Sequence, residues 1–214
     1  LQSALAELQP SVRSDKDSIQ LFRKSISLRQ REMLRESLDN LERKILTVRS
    51  SSAEEAQIRT AEAELLLKFI ERARKVQPKG QVVLSFWKNP GEVYLEDGDA
   101  LLIPAKSNLV MVHGEVLYPN AQLHDKKFGF QDYINRAGGY TANADKSNVL
   151  FFRRDGSIDN VRSSRSTFSR SRSVNAGDEI VVLPKADVKS LQLAKDISQI
   201  VYQIAIATRV AVDF

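Results

Sequence analysis

Hydrophobic and polar positions along the chain change period several times, and each change marks an element. Phe130, Tyr133, Ile134 and Ala137 recur at helical spacing and predict a short helix with one buried face. Gly138 and Gly139 end it, because glycine takes the left-handed conformation that closes a helix without a Cβ penalty. Upstream, "NLVMVHGEVLYP" alternates apolar and polar residues as a half-buried strand does. Downstream, "NVLFFRR" and "DEIVVLP" are short apolar strands. Together they predict a small α+β unit from Asn108 to Pro184. Between about 27 and 76 the period is helical instead, with Leu34, Leu38, Leu41, Ile45 and Val48 on a heptad seam. "RSSSAEE" breaks that helix, and Ser52 with Glu55 makes a capping box for the next. Ile58, Ala61, Leu65 and Phe69, widened by Leu66, Ile70 and Ala73, supply the facing stripe. An antiparallel hairpin of two helices, each roughly 30 Å long, is expected. It either packs on its own unit or projects as a lever toward a neighbouring subunit or an envelope partner.

The α+β unit occurs twice. "LQSALAELQP" and "DKDSIQLFRK", from Leu1 to Lys24, match "FQDYINRAGG" and "DKSNVLFFRR", from Phe130 to Arg154. Leu1 pairs with Phe130, Leu5 with Ile134, and Ile19 to Arg23 with Val149 to Arg153. Further on, "DGDALLIP" (Asp97–Pro104) matches "AGDEIVVLP" (Ala176–Pro184). The offset falls from about 130 to about 79 residues, so the first copy carries an insertion of roughly 50 residues, the helical hairpin. The first copy has "LQP" where the second has "AGG", so its helix must end on Pro10 and polar residues. It also starts in mid-unit, without a counterpart of "NLVMVHGEV", and is expected to lack that strand or to borrow one. With no initiator Met, the chain reads as the C-terminal part of something longer.

In this order, "MVHGEVLYP", "INRAGG", "FRRDGS", "AGDEIVVLP" and the second "DGDALLIP" resemble the soluble-ligand-binding β-grasp (SLBB) repeats of bacterial outer-membrane polysaccharide export proteins. The resemblance covers nearly the whole chain. It implies an α+β fold of two tandem SLBB-like β-grasp domains. Residues 1–105 would form the first, incomplete at its N-terminus and interrupted by the hairpin at about 27–76. Residues 106–186 would form the second, and 187–214 a C-terminal amphipathic helix. It further implies a non-enzymatic, ring-forming homo-oligomer in the periplasm or outer membrane of a Gram-negative bacterium, passing capsular polysaccharide or exopolysaccharide. Inner-membrane co-polymerase or ABC-exporter components would be its partners. The same module serves other functions, so a soluble ligand- or glycan-binding module and an envelope scaffold are the alternatives.

The terminal segment carries its own signal. Gln192, Lys195, Asp196, Gln199 and Gln203 fall at i, i+3, i+4, i+7 and i+11, a single polar stripe. Ile197, Ile200, Val201 and Ile204 form the apolar face. Lys189 to Phe214 as one helix would be about 39 Å long, against a hydrocarbon core of about 30 Å. A ring of such helices, stripes turned to a water-filled lumen, would satisfy the polar groups within the outer membrane. A helix docked on its own domain or on a partner protein has the same pattern.

Composition narrows the rest. At 42% apolar and 28% charged, the 214 residues are those of an ordinary globular protein, and no apolar run reaches a membrane span. Without Cys there is no disulfide or thiol chemistry in the chain. The net charge of +5 permits anionic partners and identifies none. "RSSRSTFSRSR" holds Arg162, Arg165, Arg170 and Arg172, which suit either an anion contact or an exposed loop or edge strand kept soluble by arginine. Only Phe168 accompanies them, too little aromatic surface for nucleic acid. His113 and His124 stand apart, and Glu115, Asp132 and Asp145 show no catalytic spacing. No nucleophile elbow, P-loop or HExxH motif is present. No catalytic residue, metal ligand or cofactor site is therefore expected. Trp87, Tyr94, Tyr118 and Tyr140 are read as core or interface packing rather than sugar platforms.

Overall fold

The structure of the chain, a computed structural model, describes residues 1, 7, 10–47, 53–84, 93–160, 173–186 and 191–208, with backbone only at 53–59, 191 and 192. In chain order the elements are strand β1 (Gln20–Phe22), helices α1 (Lys24–Thr47) and α2 (Ala53–Arg74), and strands β2 (Gln81–Val82), β3 (Ala100–Leu102), β4 (Leu109–Gly114) and β5 (Asn120–Leu123). Helix α3 (Phe130–Arg136), strands β6 (Ala144–Phe152), β7 (Ile158–Asn160) and β8 (Glu179–Pro184), and helix α4 (Leu191–Thr208) follow. The fold is α+β, as expected. Of the expected first helix at 1–8 only residues 1 and 7 are described, and the capping box at Ser52 lies outside the described residues.

The strands form two sheets, one of order β2-β1-β3 and one of order β5-β4-β8-β6-β7. In the larger sheet β4 runs parallel to β8 while all other neighbours are antiparallel. Alternation divides its residues between two cores. Val110, Val112, Val149, Phe151, Ile180 and Val182 turn to α3, where Tyr133, Ile134 and Ala137 are sealed from solvent. Helix α3 starts at Gly129, whose N–H donates to the Asp132 carboxylate at 2.8 Å. It ends where the Gly139 N–H returns to the Ile134 carbonyl at 2.9 Å. Both glycines of that stop have positive φ, as the sequence predicts.

Gly114 explains the "VHGEV" motif. It ends β4 with φ +82°, and a Cβ there would collide with the Val182 carbonyl. Only glycine lets β4 close onto β8 at that point.

The other face of the larger sheet carries Leu150, Phe152, Val181 and Leu183, and the helices cover it. Leu34, Leu38, Leu41 and Ile45 of the predicted seam are buried there. Facing them are Leu66, Phe69, Ile70 and Ala73 of α2. Two readings are corrected. Leu65 is 68% exposed, because the stripe that meets α1 runs one residue further along the helix. The hairpin does not project: Leu34, Leu38, Leu41 and Ile45 share one buried cluster with α4 and with Leu150, Phe152, Val181 and Leu183 of the five-stranded sheet. It joins β1 to β2 in sequence, and α1 packs along α4.

Candidate functional site

The two sheets share a frame that the repeat alignment points to. Leu21 of β1 pairs with Leu101 of β3, and Phe151 of β6 with Ile180 of β8, the same register at aligned positions. One step beyond the strand, Arg23 binds Asp99 twice, at 3.0 and 2.8 Å. At the aligned positions, Arg153 donates to Asp178. In each case the aspartate also accepts a backbone N–H three residues earlier, from Glu96 at 2.9 Å and Asn175 at 2.7 Å. The Arg23 and Arg153 N–H groups close their hairpins on Gly80 and Ser157, both at 2.9 Å. With Gly80 at the place of Ser157, the helical hairpin lies within the β1–β2 connection.

The two pairs differ electrostatically. The hydrogen bonds from Arg23 hold the Asp99 carboxyl below the ordinary carboxylate range. Burial dominates at Asp178, which is 2% exposed, and pushes its carboxyl up despite Arg153.

Between the sheets lies an open polar cleft of about 500 Å³, lined by Asp15, Arg153, Arg154, Asp155, Asp159 and Asp178 among others. Its charges answer one another. Arg153 reaches Asp159 at 2.9 Å, and Arg154 reaches Asp15 at 3.3 Å and donates to the Ala105 carbonyl. Gln20, buried on β1, donates to the Arg154 carbonyl at 2.5 Å. The cleft is a joint that fixes one sheet against the other. Ser18 and Ser157, which also line it, donate to the Asp15 and Asp155 carboxylates at 2.9 and 2.6 Å as turn contacts.

Helix α4 is the second candidate. Ile197, Ile200, Val201 and Ile204 are 1, 2, 1 and 0% exposed. The face is apolar as read, but here it meets the helical hairpin and the sheet of its own chain rather than lipid. Of the polar stripe, Lys195 and Gln199 face solvent. Asp196 receives Lys44 of α1 at 2.6 Å. Gln203 is half-buried, its carbonyl Oε1 enclosed without a hydrogen bond. The Gln192 side chain lies outside the described residues. The C-terminal end of α4 is tied down where the Lys79 N–H meets the Ala207 carbonyl at 2.8 Å. Among the described residues no helix is long and apolar enough to cross a membrane.

Other residues singled out in the sequence are dispersed. Arg162, Arg165, Arg170, Arg172 and Trp87 lie outside the described residues. Tyr94 and Tyr118, expected as packing residues, are 86 and 70% exposed. The underside of the Tyr118 ring rests on Gly138. Tyr140 donates to Gln131 at 3.2 Å, and burial raises its phenol pKa. Glu115 accepts from Thr141, Asp132 caps α3, and Asp145 holds Ser147 and Asn148, so the three carboxylates serve separate turns. His124 contacts the Val174 carbonyl, and His113 lies 3.6 Å from Glu179. Among the described residues no group of His, Cys, Asp and Glu converges as a metal site.

No family model matches the chain. Two proteins of Escherichia coli are each 40% identical to it over 210 residues, 98% of this chain and 36% of theirs. Over that span the chain is similar to polysaccharide transport proteins, which supports the resemblance to outer-membrane polysaccharide export proteins. Both relatives bear the name polysialic acid transport protein KpsD. They are named as transport proteins and not as enzymes, in agreement with the non-catalytic reading. The chain spans little more than a third of their length.

Proposed function

We infer that the chain is a non-enzymatic part of a capsular polysaccharide or exopolysaccharide exporter in the periplasm and outer membrane of a Gram-negative cell. The observation that carries this is an alignment over 98% of the chain, at 40% identity, to proteins named for polysialic acid transport. The shared strand register and the two Arg–Asp turns support reading the body as two tandem β-grasp, SLBB-like modules, 1–105 and 106–186. Such modules repeat around a ring of identical subunits through which polymer passes passively, driven by inner-membrane co-polymerase or ABC-exporter components.

The role of α4 depends on assembly. Its apolar face stabilises the protomer by roughly 10 kcal/mol, at about 2 kcal/mol for each of Leu193, Ile197, Ile200, Val201 and Ile204. Lining a lumen in the outer membrane requires releasing that face, with neighbouring copies or lipid replacing the contact. The docked helix is therefore the state of the separate subunit, and residues 187–214 enter the membrane only in the assembled ring.

Complementation tests the reading. A strain deleted for the gene of the full-length protein is expected to lose surface polymer and regain it with the intact gene. Detergent extracts of the complemented strain should contain a large homo-oligomer. Unchanged surface polymer in the deletion strain would overturn the export role, and a strictly monomeric protein the ring.

A further inference from the structure

The helical layer carries a groove that neither the fold nor the joint between the sheets requires. It has a volume of about 370 Å³ and runs between the first half of α1 and the segment after α2. Val76, half-buried, offers accessible apolar surface, with Leu34 and Leu38, 5 and 0% exposed, packed beneath. Arg31, Arg35 and Arg74 stand along its rim against one carboxylate, Asp39.

The arginines are not equivalent. Arg74 is held by Asp39 at 2.7 Å and Glu42 at 2.5 Å. Arg31 and Arg35 lie one turn apart on the exposed side of α1, where i and i+4 side chains are neighbours. Asp39, the carboxylate one turn beyond Arg35, is engaged by Arg74. Neither Arg31 nor Arg35 has a hydrogen bond or ion pair among the described residues, whereas Arg74, Lys44 and Arg43 nearby each have one. Two free planar guanidiniums above an apolar strip, in a space at the small end of the about 300–1,000 Å³ typical of ligand sites, have a defined complement. It is a carboxylate-bearing ring with an apolar C–H face. The carboxylates fit the guanidinium forks, and the ring lies on Val76 and the aliphatic stems of the arginines.

We propose that this groove binds an acidic saccharide chain, with Arg31 and Arg35 gripping sugar carboxylates, and Val76 with the arginine stems supporting the ring. The proposal rests on the export reading for its source of acidic glycan. It adds where on the chain that polymer would be held: on the inserted hairpin rather than on the sheets.

The test is binding of a short sialic acid oligomer to the full-length protein at low and high salt, with dextran as the neutral comparison. Binding that weakens with salt, spares dextran and falls about tenfold or more in Arg31→Gln/Arg35→Gln is expected, from the loss of two charge-assisted contacts. Arg31→Lys/Arg35→Lys should recover only part of it, since lysine keeps the charge but not the fork. Arg43→Gln, on the same helix outside the groove, should leave affinity unchanged. A wild-type protein that does not bind the oligomer overturns the proposal, as does equal binding by the double Gln variant with its thermal midpoint intact. So does equal affinity for an acidic peptide, which would make the surface a protein contact. Surface polymer in the complemented strain separates the two readings. Export restored by a protein that ignores the oligomer leaves the exporter standing without this site. Groove binding in a protein whose deletion spares surface polymer leaves the site without the exporter.

Discussion

Ile204→Ala asks whether the terminal helix belongs to the core of its own protomer. Ile204 is fully buried, next to Ala205, in a cluster shared by α1, α2, α4 and the outer face of β6 and β8. Truncating a buried isoleucine removes transfer free energy and leaves a cavity, about 2–5 kcal/mol together. The site is one turn from the end of α4, where the helix can settle partly into the gap. About 3 kcal/mol is therefore expected, a fall in Tm of about 6–12 °C for a chain of this length. Alanine is the best helix former, so the loss cannot come from propensity. Leu65→Ala is the matched comparison, because Leu65 is 68% exposed on α2 and its truncation should stay within about 0.5 kcal/mol. Thermal melts followed by circular dichroism, with urea midpoints as the second measure, read both variants. Equal melts for the two would refute the packing argument. If Ile204→Ala instead lowered membrane recovery and left the melt alone, the apolar face would be serving lipid in the isolated subunit as well.

Three further outcomes follow from the frame. Gly114→Ala should destabilise by about 2 kcal/mol or more, since it forces a side chain at positive φ against the Val182 carbonyl; a urea midpoint unchanged from wild type would contradict this. The aspartates should respond to pH in opposite senses. Asp99, held below its unfolded value, contributes stability above the ordinary carboxylate range that is lost as pH falls through its folded value, so Asp99→Asn should flatten the acid limb of stability. Asp178, raised by burial, contributes stability below that range that is lost as pH rises, so Asp178→Asn should steepen the same limb; urea midpoints between about pH 3 and 7 decide, and parallel shifts would refute the assignment. Replacing residues 24–79 by a short turn like that at 155–157 should uncover Leu150, Phe152, Val181 and Leu183; it is expected to yield a protein that binds a hydrophobic dye and associates, and a dye-silent monomer would show that the hairpin is dispensable to the sheet.

Local pattern carried the larger unit well. The alternation in "NLVMVHGEV", the helix stopped by two glycines and the apolar strands all became β4, α3, β6 and β8 near their expected places. These segments have one buried face each, and a face is what periodicity reports. What periodicity does not report is the partner. Leu34, Leu38, Leu41 and Ile45 were legible as a seam, but nothing in their spacing said that the seam would close over a sheet far along the chain. The facing stripe slipped from Leu65 to Leu66 for a related reason. An α2 that touches α1 alone and one that shares a core with α1, α4 and two strands bury different arcs, and both arcs here are apolar. Tyr94 and Tyr118 failed differently, because an aromatic residue in a short apolar run reads as core until the fold shows that the run ends at the surface. Arg31 and Arg35 did leave a signal, two arginines at i and i+4 flanking the buried Leu34. It is common on solvated helices, and only the groove beside it gives it weight.

The insertion has the further consequence of joining what the repeat alone would leave separable. A β-hairpin turn is an economical place to enlarge a module, since its ends are already adjacent and a long loop there costs little extra closure entropy. Here the enlargement shares one buried cluster with α4 and the outer face of the other sheet, so Phe152 and Val181 belong to a core that includes residues attached at Arg23 and Gly80. The Arg154–Asp15 and Gln20–Arg154 contacts hold the same two bodies together on their polar side. Motion between the sheets would therefore have to break an apolar contact and an ionic joint at once.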